Sequence, residues 1–595
     1  MNQAVTKLNI EISPLKEGEN VQTKVKAKNH SFKYNDSEKL ALKKLNYEFQ
    51  SGELIGIIGP AEAGKTTLGL SIKAIVPHKL DGAWGGALDV CGKDILESDV
   101  STISRFVSMT FQDPESQIIG SSVEEDLVFG PENYNIPPEV IREKMKWAMD
   151  AVGLSEEFLK KHPHRLSGGE KQRLAIASAI ICGPEVIILD EPTAEIDPVG
   201  KYDVIKIVEK LKKSQTKTIL LIEQDLEHLV RFADKLLVLN KGELVAFHNT
   251  REVLKDTDKL LDMHINVPEV VVLWNELKKL GLDIPIFVSV EEAISVLRNY
   301  FVKNKEELVV KSSAKLTPTH ETEEVIKVEQ MSFSYETSDQ ILHDINLSIK
   351  KGEFVAVLGK NGTGKTTLVK HFNGLLKPTK GKVFVNGIPT NKKTVAQLSR
   401  NVGYVFQNPN HQIFEDTVEK EIMFGPKNLG WTAEQIAEKT QFALKLCDLE
   451  KVKDQHPTML NRAQKQLLII ASVVAMDVDV LIVDEPTTGL DYSNCQLVGQ
   501  VLTNIQKQGK TVVLITHDMN FVAKYAERTI VVNNGEVDED DVTHKVFTNI
   551  EKLEKAHLYP PQITQVAAQL EEFGFTEPVL TVQGFLNHLS WKGNS

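Results

Sequence analysis

The sequence predicts an α/β fold in which one domain occurs twice. Three observations predict it: two glycine-rich segments that fit one phosphate-binding pattern, two apolar strands that end in Asp-Glu, and a nearly constant distance between the copies. Lys365 follows Lys65 by 300 residues, and Glu485 follows Glu191 by 294 residues. A repeat of this length is a firmer guide to the number of domains than the total of 595 residues.

The two glycine-rich segments, 59–66 and 359–366, both fit the pattern G-x-x-x-x-G-K-[ST]. Each follows an apolar run typical of a buried strand and precedes a predicted helix. Glycines let backbone N–H groups turn toward phosphate oxygens, and the N-terminus of the helix adds a favourable dipole. In this pattern the lysine reaches the β- and γ-phosphates, and the threonine hydroxyl holds Mg²⁺. The predicted phosphate-binding residues are Gly59, Gly64, Lys65, Thr66, Thr67, Gly359, Asn361, Gly362, Gly364, Lys365, Thr366 and Thr367.

Two predicted buried strands end in a pair of carboxylates, Asp190-Glu191 and Asp484-Glu485. A strand that ends in a solvated acidic turn would look the same in either copy alone. The matched spacing from both phosphate-binding segments favours a catalytic pair instead. We expect each Asp to support the shell of Mg²⁺. We expect each Glu to polarise the attacking water as a general base.

A third motif distinguishes the two copies. Residues 166–170 read Leu-Ser-Gly-Gly-Glu, whereas residues 460–464 read Leu-Asn-Arg-Ala-Gln. With these motifs in this order, the chain resembles a tandem ABC ATPase from about residue 26 onward. The resemblance implies two P-loop NTPase domains fused head to tail, with ATP and Mg²⁺ as their ligands. Each would have a RecA-like core, an antiparallel β subdomain, a helical signature subdomain and a small C-terminal extension.

The same resemblance assigns further residues to ATP. Tyr34 and Tyr335 match the aromatic residue that stacks on adenine. Gln112 and Gln407 match the glutamine that senses Mg²⁺ and the γ-phosphate, so they join the predicted metal-binding and catalytic residues. The other matches are the signature residues Ser167, Gly168 and Gly169, the D-loop residues Asp197 and Asp491, and the switch histidine His517, whose place in the first copy is taken by Gln224.

In the family that the chain resembles, two such domains face each other, so each ATP lies between one phosphate loop and the opposite signature. One site would then join Lys365 and Glu485 to the intact signature, with every element present. The other would join the first copy's phosphate loop to residues 460–464, and Gln224 and Glu62 stand there where histidine and glycine are common. We expect one consensus and one degenerate ATP site, with the domains paired within one chain. Pairing between chains, and hydrolysis at the degenerate site, stay open.

Changes in composition divide the chain into six segments. The stretch between the copies, rich in Lys, Glu, Ser and Thr, is typical of an exposed linker. After each copy, an apolar stripe between a Pro and a Gly predicts a helix in a small extension. The first stripe is Val270, Leu273, Leu277 and Leu280, and the second is Ile563, Val566, Leu570 and Phe573. We expect each extension to pack on its own domain, with contact between the two extensions as the alternative. The predicted segments are a lead-in at 1–25, ABC ATPase domain 1 at 26–255, its C-terminal extension at 256–302, the linker at 303–324, ABC ATPase domain 2 at 325–548 and its extension at 549–595.

The composition argues against several classes of protein and of site. The formal net charge is −13 and no basic stripe is present, so we expect no nucleic-acid partner. No apolar stretch approaches the ~20 residues of a membrane span, and the first residues lack the apolar core of a signal peptide. Four scattered cysteines without a C-x-x-C pattern predict a reduced cytosolic protein with neither a zinc nor an iron–sulfur site.

The segments that follow the two glutamines, 111–133 and 406–428, run in parallel through Gln-Ile, Val-Glu and Phe-Gly-Pro. They resemble the ATPases of energy-coupling factor importers, which take up vitamins and transition-metal ions. The resemblance implies a peripheral protein on the cytoplasmic face of the cell membrane. It also implies a transmembrane coupling subunit docked on these segments, and a separate substrate-binding membrane subunit. Packing of the helical subdomain is the alternative role for the segments. The cargo stays open, with a vitamin or vitamin precursor preferred.

Two other functions compete with the importer. A soluble tandem ATPase of the ABC-F type, which acts on ribosomes, would usually carry a long basic helical linker and two intact signatures. A chromosome or DNA-repair ATPase would need a long coiled-coil or zinc insertion, and the sequence contains neither. We therefore expect an ATPase coupled to transport through a membrane, with the ABC-F type as the alternative.

Overall fold

The computed structural model describes residues 22–194, 196, 198–213, 217–304, 308–310, 323–335 and 340–591. The chain divides into two compact units, Met1–Pro268 and Glu269–Ser595. Most of the predicted lead-in and of the predicted linker lies outside the described residues, as does the D-loop residue Asp197. Among the helices that the structure describes, none is both long enough and apolar enough to cross a membrane.

Ten described strands of the first unit form two sheets. They are β1 (Thr23–Tyr34), β2 (Leu42–Gln50), β3 (Leu54–Ile58), β4 (Gly82–Val90), β5 (Lys93–Asp94), β6 (Val107–Thr110), β7 (Val186–Asp190), β8 (Thr218–Ile222), β9 (Lys235–Asn240) and β10 (Glu243–Asn249). An antiparallel sheet has the order β2-β1-β4-β5. A larger sheet has the order β10-β9-β3-β8-β7-β6, and only β10 runs antiparallel to its neighbour. Strands β3, β7 and β8 are buried along their whole length, which explains their continuous apolar runs.

The helices of the first unit connect these strands and surround the larger sheet. They are α1 (Lys65–Ile72), α2 (Ile75–His78), α3 (Val100–Ser104), α4 (Val123–Asn133), α5 (Pro138–Val152), α6 (Gly168–Ile180), α7 (Pro198–Lys213), α8 (Leu226–Phe232), α9 (Thr250–Leu254) and α10 (Thr257–Asp262). Helices α4 and α5 pack on α6 and form a helical part next to the sheet. One apolar core includes Phe32 of β1, Leu68 of α1 and Ile188 of β7, so the antiparallel sheet is fixed beside the first phosphate loop.

The second unit repeats both sheets. Its described strands are β11 (Leu308–Val310), β12 (Glu324–Ser334), β13 (Gln340–Lys350), β14 (Phe354–Leu358), β15 (Lys380–Val385), β16 (Ile388–Pro389), β17 (Val402–Val405), β18 (Val480–Asp484), β19 (Thr511–Ile515), β20 (Arg528–Asn533), β21 (Glu536–Val542) and β22 (Leu589–Trp591). The antiparallel order is β13-β12-β15-β16, and the mainly parallel order is β17-β18-β19-β14-β20-β21. Read from its parallel edge, the larger sheet of the first unit has the same order. The predicted α/β fold of two P-loop domains is confirmed.

The helices of the second unit include those that follow both copies. They are α11 (Glu269–Lys279), α12 (Val290–Lys303), α13 (Lys365–Lys370), α14 (Val395–Leu398), α15 (Val418–Asn428), α16 (Ala433–Leu446), α17 (Arg462–Val474), α18 (Tyr492–Lys507), α19 (Met519–Tyr525), α20 (Thr543–Thr548), α21 (Ile550–Lys555), α22 (Gln562–Ala568) and α23 (Val582–His588). The predicted second extension helix is shorter than its stripe, because α22 ends at Ala568. A 3₁₀ turn, Glu571–Phe573, continues the chain to Gly574, whose φ is +104°.

The two extensions contact each other. Helices α11 and α12, which follow the first copy, pack on α22 and α23, which follow the second. Gln562 Oε1 accepts a hydrogen bond from the N–H of Val270 at 3.2 Å, and Glu269 Oε2 accepts one from the N–H of Ile563 at 3.3 Å. Strand β11 pairs antiparallel with β22. The structure thus shows contact between the extensions, which the sequence offered only as the alternative. Leu280, counted in the predicted apolar stripe, is exposed.

Candidate nucleotide sites

The motif residues of each unit meet at the carboxyl edge of its larger sheet. In both units they follow four neighbouring parallel strands, and this edge is where open α/β sheets bind ligands. In the second unit they are the segment 359–366 after β14, Gln407 after β17, Glu485 after β18 and His517 after β19. In the first unit they are the segment 59–66 after β3, Gln112 after β6, Glu191 after β7 and Gln224 after β8.

Both phosphate loops fold around their lysine. Lys365 Nζ donates to two carbonyls of its own loop at 2.7 and 2.9 Å, and Lys65 Nζ does the same at 2.8 and 3.0 Å. A Cβ on Gly359 would lie 2.2 Å from the carbonyl oxygen of Val532, so no other residue fits at that position. Each loop curves around its lysine, whose ammonium group lies at the centre of the backbone that would surround a phosphate.

One residue distinguishes the two phosphate loops. Glu62 has φ of +60°, and the matching Gly362 has φ of +82°. Glycine adopts this left-handed form without steric cost, whereas glutamate does not. The sequence indicated that Glu62 stands where this loop commonly has a glycine. The backbone of Glu62 has the left-handed form that a glycine would adopt there. The side chain is exposed and adds a negative charge to the loop.

The tyrosines that match the adenine-stacking residue lie beside the helices that follow the phosphate loops. The hydroxyl of Tyr34 is 3.1 Å from Thr67 Oγ1, and the hydroxyl of Tyr335 is 3.5 Å from Thr367 Oγ1. Each tyrosine ends the first strand of its antiparallel sheet or directly follows it. The antiparallel sheet therefore brings an aromatic ring to the phosphate loop of the same unit.

A hydroxyl and a carboxylate meet at each predicted Mg²⁺ position. Thr366 Oγ1 donates to Asp484 Oδ2 at 3.2 Å, and the hydroxyl of Tyr404 donates to the same oxygen at 2.7 Å. In the first unit, Asp190 has Thr66 beside it, and its buried Oδ1 has no hydrogen-bond partner among the described residues. Burial raises the pKa of Asp190 to about 6 and also raises the pKa of Asp484. Hydroxyl and carboxylate oxygens are the ligands that a hard cation such as Mg²⁺ prefers, so both positions suit this ion.

The two predicted bases share an unusual backbone form. Glu191 has φ of +45° and Glu485 has φ of +47°, although neither is glycine. Their N–H groups donate to carbonyls of the neighbouring strand, at 2.9 Å to Ile222 and 2.8 Å to Ile515. A left-handed non-glycine residue costs of order 1 kcal/mol and persists where the surrounding structure enforces it, which is common at active sites. Both side chains are buried, unlike those of a solvated turn.

The partner of the base differs between the units. In the first unit, Gln224 Nε2 donates a hydrogen bond to Glu191 Oε1 at 2.7 Å. In the second, His517 Nδ1 lies 2.9 Å from Glu485 Oε2, but outside the direction that a hydrogen bond requires, so both atoms lack a hydrogen-bond partner in the described part of the chain. An amide cannot take up a proton, whereas an imidazole can.

Sequence reasoning missed two polar side chains that lie next to these groups. Glu223 Oε1 accepts a hydrogen bond from Thr193 Oγ1 at 2.9 Å, and burial raises the pKa of Glu223 to about 8. The matching residue of the second unit is Thr516. Tyr404, which holds Asp484, is the other. Two signals in the sequence could have indicated these residues: an ionisable residue directly after the apolar strand β8, and a phenol inside the apolar strand β17.

Both signature segments begin a helix with the same kind of cap. Ser167 caps α6 and Asn461 caps α17, each by accepting a hydrogen bond from the N–H three residues later, at 3.3 and 2.9 Å. The broken signature therefore keeps its helix start and loses the two glycines, which are replaced by Arg462 and Ala463. Of the D-loop residues, Asp491 caps α18.

Comparison with known proteins extends over most of the chain. The family model described as "ABC transporter" matches residues 42–194 and 342–488. A protein of Caldanaerobacter subterraneus subsp. tengcongensis, described as a candidate ABC transporter ATP-binding protein, is 35% identical over 550 residues, which are 91% of this chain and 95% of that protein. A protein with the same description from Methanosarcina mazei is 35% identical over 576 residues, 95% of this chain and 97% of that protein.

Among solved structures, cbiO1 from Clostridium perfringens, described as part of the ABC transporter complex cbiONQ, is 34% identical with a TM-score of 0.37. The match covers 42% of this chain and 99% of that one.

The two matched regions contain both phosphate loops and both Asp-Glu pairs, so the ATPase domain of this family occurs in each half of the chain. The two relatives align with this chain over nearly their whole length, so they share its tandem arrangement of two domains. The chain therefore belongs to the ABC transporter family and is one of its ATP-hydrolysing, ATP-binding proteins.

Proposed function

We propose that this chain energises a membrane importer of the energy-coupling factor type, for a vitamin, a vitamin precursor or a transition-metal ion. The observation that carries the proposal is an exposed apolar surface on each unit, in the segments that resemble such ATPases. In the first unit, Ile119 is 62% exposed and Phe129 is 53% exposed. In the second, Phe414 is 61% exposed and its ring lies 4.5 Å from that of Phe424. Exposed apolar clusters of this kind mark interaction sites.

A buried acid holds each of these loops in shape. Asp126 Oδ1 accepts hydrogen bonds from the N–H of Ile119 and of the next residue, at 2.9 and 3.2 Å. Glu421 Oε2 does the same for Phe414 and the next residue, at 3.0 and 2.8 Å. A segment that served only to pack the helical part would bury its apolar side chains. The repeated acid fixes the backbone while these side chains point outward, which favours docking.

The partner that fits these surfaces is a transmembrane subunit with apolar-faced segments on its cytoplasmic side. The chain would then be a peripheral protein of the cytoplasmic membrane face, and a separate membrane subunit would bind the cargo. Two different surfaces, one with Ile119 and one with Phe414, suit two different segments of that partner.

We also propose that the two units contribute unequally to hydrolysis. Glu485 would accept the proton of the attacking water, and His517 next to it can donate or accept a proton. In the first unit, the amide of Gln224 occupies an oxygen of Glu191 and cannot take up a proton. Thr366 with Asp484, and Thr66 with Asp190, would hold Mg²⁺, which neutralises phosphate charge when it is bound.

The proposal is tested by purification of the tagged chain from native membranes. We expect an integral membrane protein to co-purify with the parent chain, and the Ile119→Ser/Phe414→Ser variant to lose it while still binding ATP. Trp147→Ser is the matched control, because Trp147 is 45% exposed on α5 and lies outside both segments. Recovery with ribosomes and without an integral membrane protein would favour the ABC-F function instead. Loss of folding in the double variant would favour the packing role.

A further inference from the structure

The broken signature contacts a turn of its own unit. Arg462, the first residue of α17, lies against Gly489 in the turn between β18 and α18. A Cβ on Gly489 would lie 2.5 Å from Arg462 Cζ, 2.7 Å from Nη1 and 2.9 Å from Nε. The guanidinium plane therefore covers the glycine directly. The φ of Gly489 is +69°, a form that favours glycine.

The turn that Arg462 covers begins at the predicted base. The N–H of Thr488 donates to the carbonyl of Glu485 at 3.4 Å, and the N–H of Leu490 donates to the carbonyl of Thr487 at 3.1 Å. The first of these bonds is long and weak. The turn is joined to Glu485 by three residues and by this hydrogen bond, and the backbone of Glu485 is itself held in a left-handed form. We expect a group that restrains the turn at Gly489 to restrain the direction of the Glu485 carboxylate as well.

The cap of α17 places the arginine for this contact. Asn461 caps the helix and forms a reciprocal pair of hydrogen bonds with the residue three positions later, so the loss of the signature serine does not loosen the helix start. Residue 462 is fixed in the first turn of α17. The first copy has Gly168 at the matching position, so no side chain can make this contact there.

We propose that Arg462 is a positioning residue for Glu485 of its own unit. In this role the broken signature supports the intact catalytic set, and it does so without touching ATP. A planar guanidinium can lie flat on a glycine backbone, whereas an ammonium on a flexible stem cannot. The proposal rests on the assignment of Glu485 as the base, and it is independent of the cargo and of the membrane partner.

The test is steady-state ATP hydrolysis by the full chain. We expect Arg462→Ala to lower kcat about 3- to 10-fold, since a small displacement of a catalytic group is costly, while KM stays within about twofold. Arg462→Lys should resemble Arg462→Ala, because charge alone does not restrain the turn. Gly489→Ala should also lower kcat, because its Cβ would collide with the guanidinium.

The double variant Arg462→Ala/Gly489→Ala separates a specific contact from general damage. Because the collision needs both residues, Gly489→Ala should lower kcat by a smaller factor in the Arg462→Ala background than in the parent chain, where the strain of alanine at the left-handed φ is joined by the collision. Met459→Ala is the control, since this side chain is 76% exposed in the same segment, and it should leave kcat and KM unchanged.

Four results would overturn the positioning role: an unchanged kcat in Arg462→Ala, losses that multiply in the double variant, full activity in Arg462→Lys, or a raised KM with constant kcat. The last would mean that Arg462 acts on a bound nucleotide. Glu485→Gln is measured in parallel. If that variant keeps the parent kcat, the assignment of the base has failed, and the failure is then distinct from that of the Arg462 contact.

Discussion

At the residue scale, we predict that Glu62 makes the first phosphate loop bind ATP more weakly than the second. It combines a left-handed backbone with a negative charge in a loop that must surround phosphates. We expect Glu62→Gly to strengthen ATP binding at this loop about three- to tenfold, because removal of a nearby like charge is worth about 1 kcal/mol in a largely solvated setting. Labelling with a photoreactive ATP analogue, followed by peptide mapping, reports each loop separately.

Gly362→Glu is the matched control for this prediction. A Cβ on Gly362 meets no atom within 4 Å, so the substitution adds charge and backbone strain without a collision. It should weaken labelling of the second loop by a similar factor. Equal labelling of both loops in all three proteins would contradict the role given to Glu62.

Glu223 is a second residue whose environment sets a measurable property. Its pKa rises from 4.5 to about 8 because it is buried, so the folded chain keeps it protonated at neutral pH while the unfolded chain ionises it. Unfolding then releases a proton. The free energy of unfolding should therefore fall as pH rises from 4.5 to 8, by up to about 1.4 kcal/mol per pH unit. This stability is fully present below pH 4.5 and is lost as pH passes 8.

Glu223→Gln should remove this dependence, because an amide stays neutral and can still accept the hydrogen bond of Thr193. We expect the variant to unfold at a higher temperature than the parent at pH 8, with the difference shrinking toward pH 5. The transition of the first unit, followed by hydrogen exchange of β7 and β8, provides the measurement. A constant difference at every pH would show that the carboxyl does not titrate as its burial requires.

The motifs predict which residues form the sites but not the conformations of those residues. The predicted phosphate-binding, carboxylate and glutamine residues all follow neighbouring strands, because parallel strands end at the same edge. The left-handed φ of Glu191 and Glu485 could not be predicted, since it depends on carbonyls of a strand far away in sequence. The hydrogen bond from Gln224 to Glu191 depends on two side chains that meet only in the folded unit.

At the element scale, the two extensions form one cluster. Phe301 of α12 is fully buried, and its ring lies 5.5 Å from Phe573 and 6.3 Å from Phe575. We expect Phe301→Ala to destabilise the cluster by about 3–5 kcal/mol, as is usual for truncation of a buried aromatic residue. Hydrogen exchange should then show that α12 and α22 lose protection together.

Val302→Ala is the control for that experiment, because Val302 is 62% exposed on the same helix. Protection lost in α12 alone would mean that the extensions are independent elements. The apolar stripes of the sequence predicted α11 and, beyond its true end, α22, but not α12 or α23. A stripe also does not show which element it packs against. That is why the sequence left two arrangements open.

At the scale of the whole molecule, one chain carries two domains with the same strand order and different residues at their candidate sites. The mainly parallel sheet appears twice in the same order, yet only the second unit has a histidine beside its base. The repeat could be predicted from the motif spacing alone. From the sequence, the asymmetry could be predicted only as motif residues that are replaced in one copy. The structure adds the contacts that the replacing residues make, such as Gln224 on Glu191 and Arg462 on Gly489.

If hydrolysis in the second unit requires the signature of the first, as the family resemblance implies, Gly169→Asp should lower turnover about as much as Lys365→Ala. A Cβ on Gly169 would make an ordinary contact, 3.4 Å from Ile196 Cγ2, so the first unit should tolerate the change. The double variant should lose no more turnover than either single variant, because both substitutions would disable the same step.

Glu191→Gln is the control in the first unit. It should lower turnover less than Glu485→Gln, whose loss is expected to reach about 10²–10⁴-fold. Steady-state turnover of the five variants distinguishes these possibilities. If the losses of the two single variants multiply in Gly169→Asp/Lys365→Ala, the two residues act at independent sites. If the double variant loses no more turnover than either single variant, one site depends on both halves of the chain.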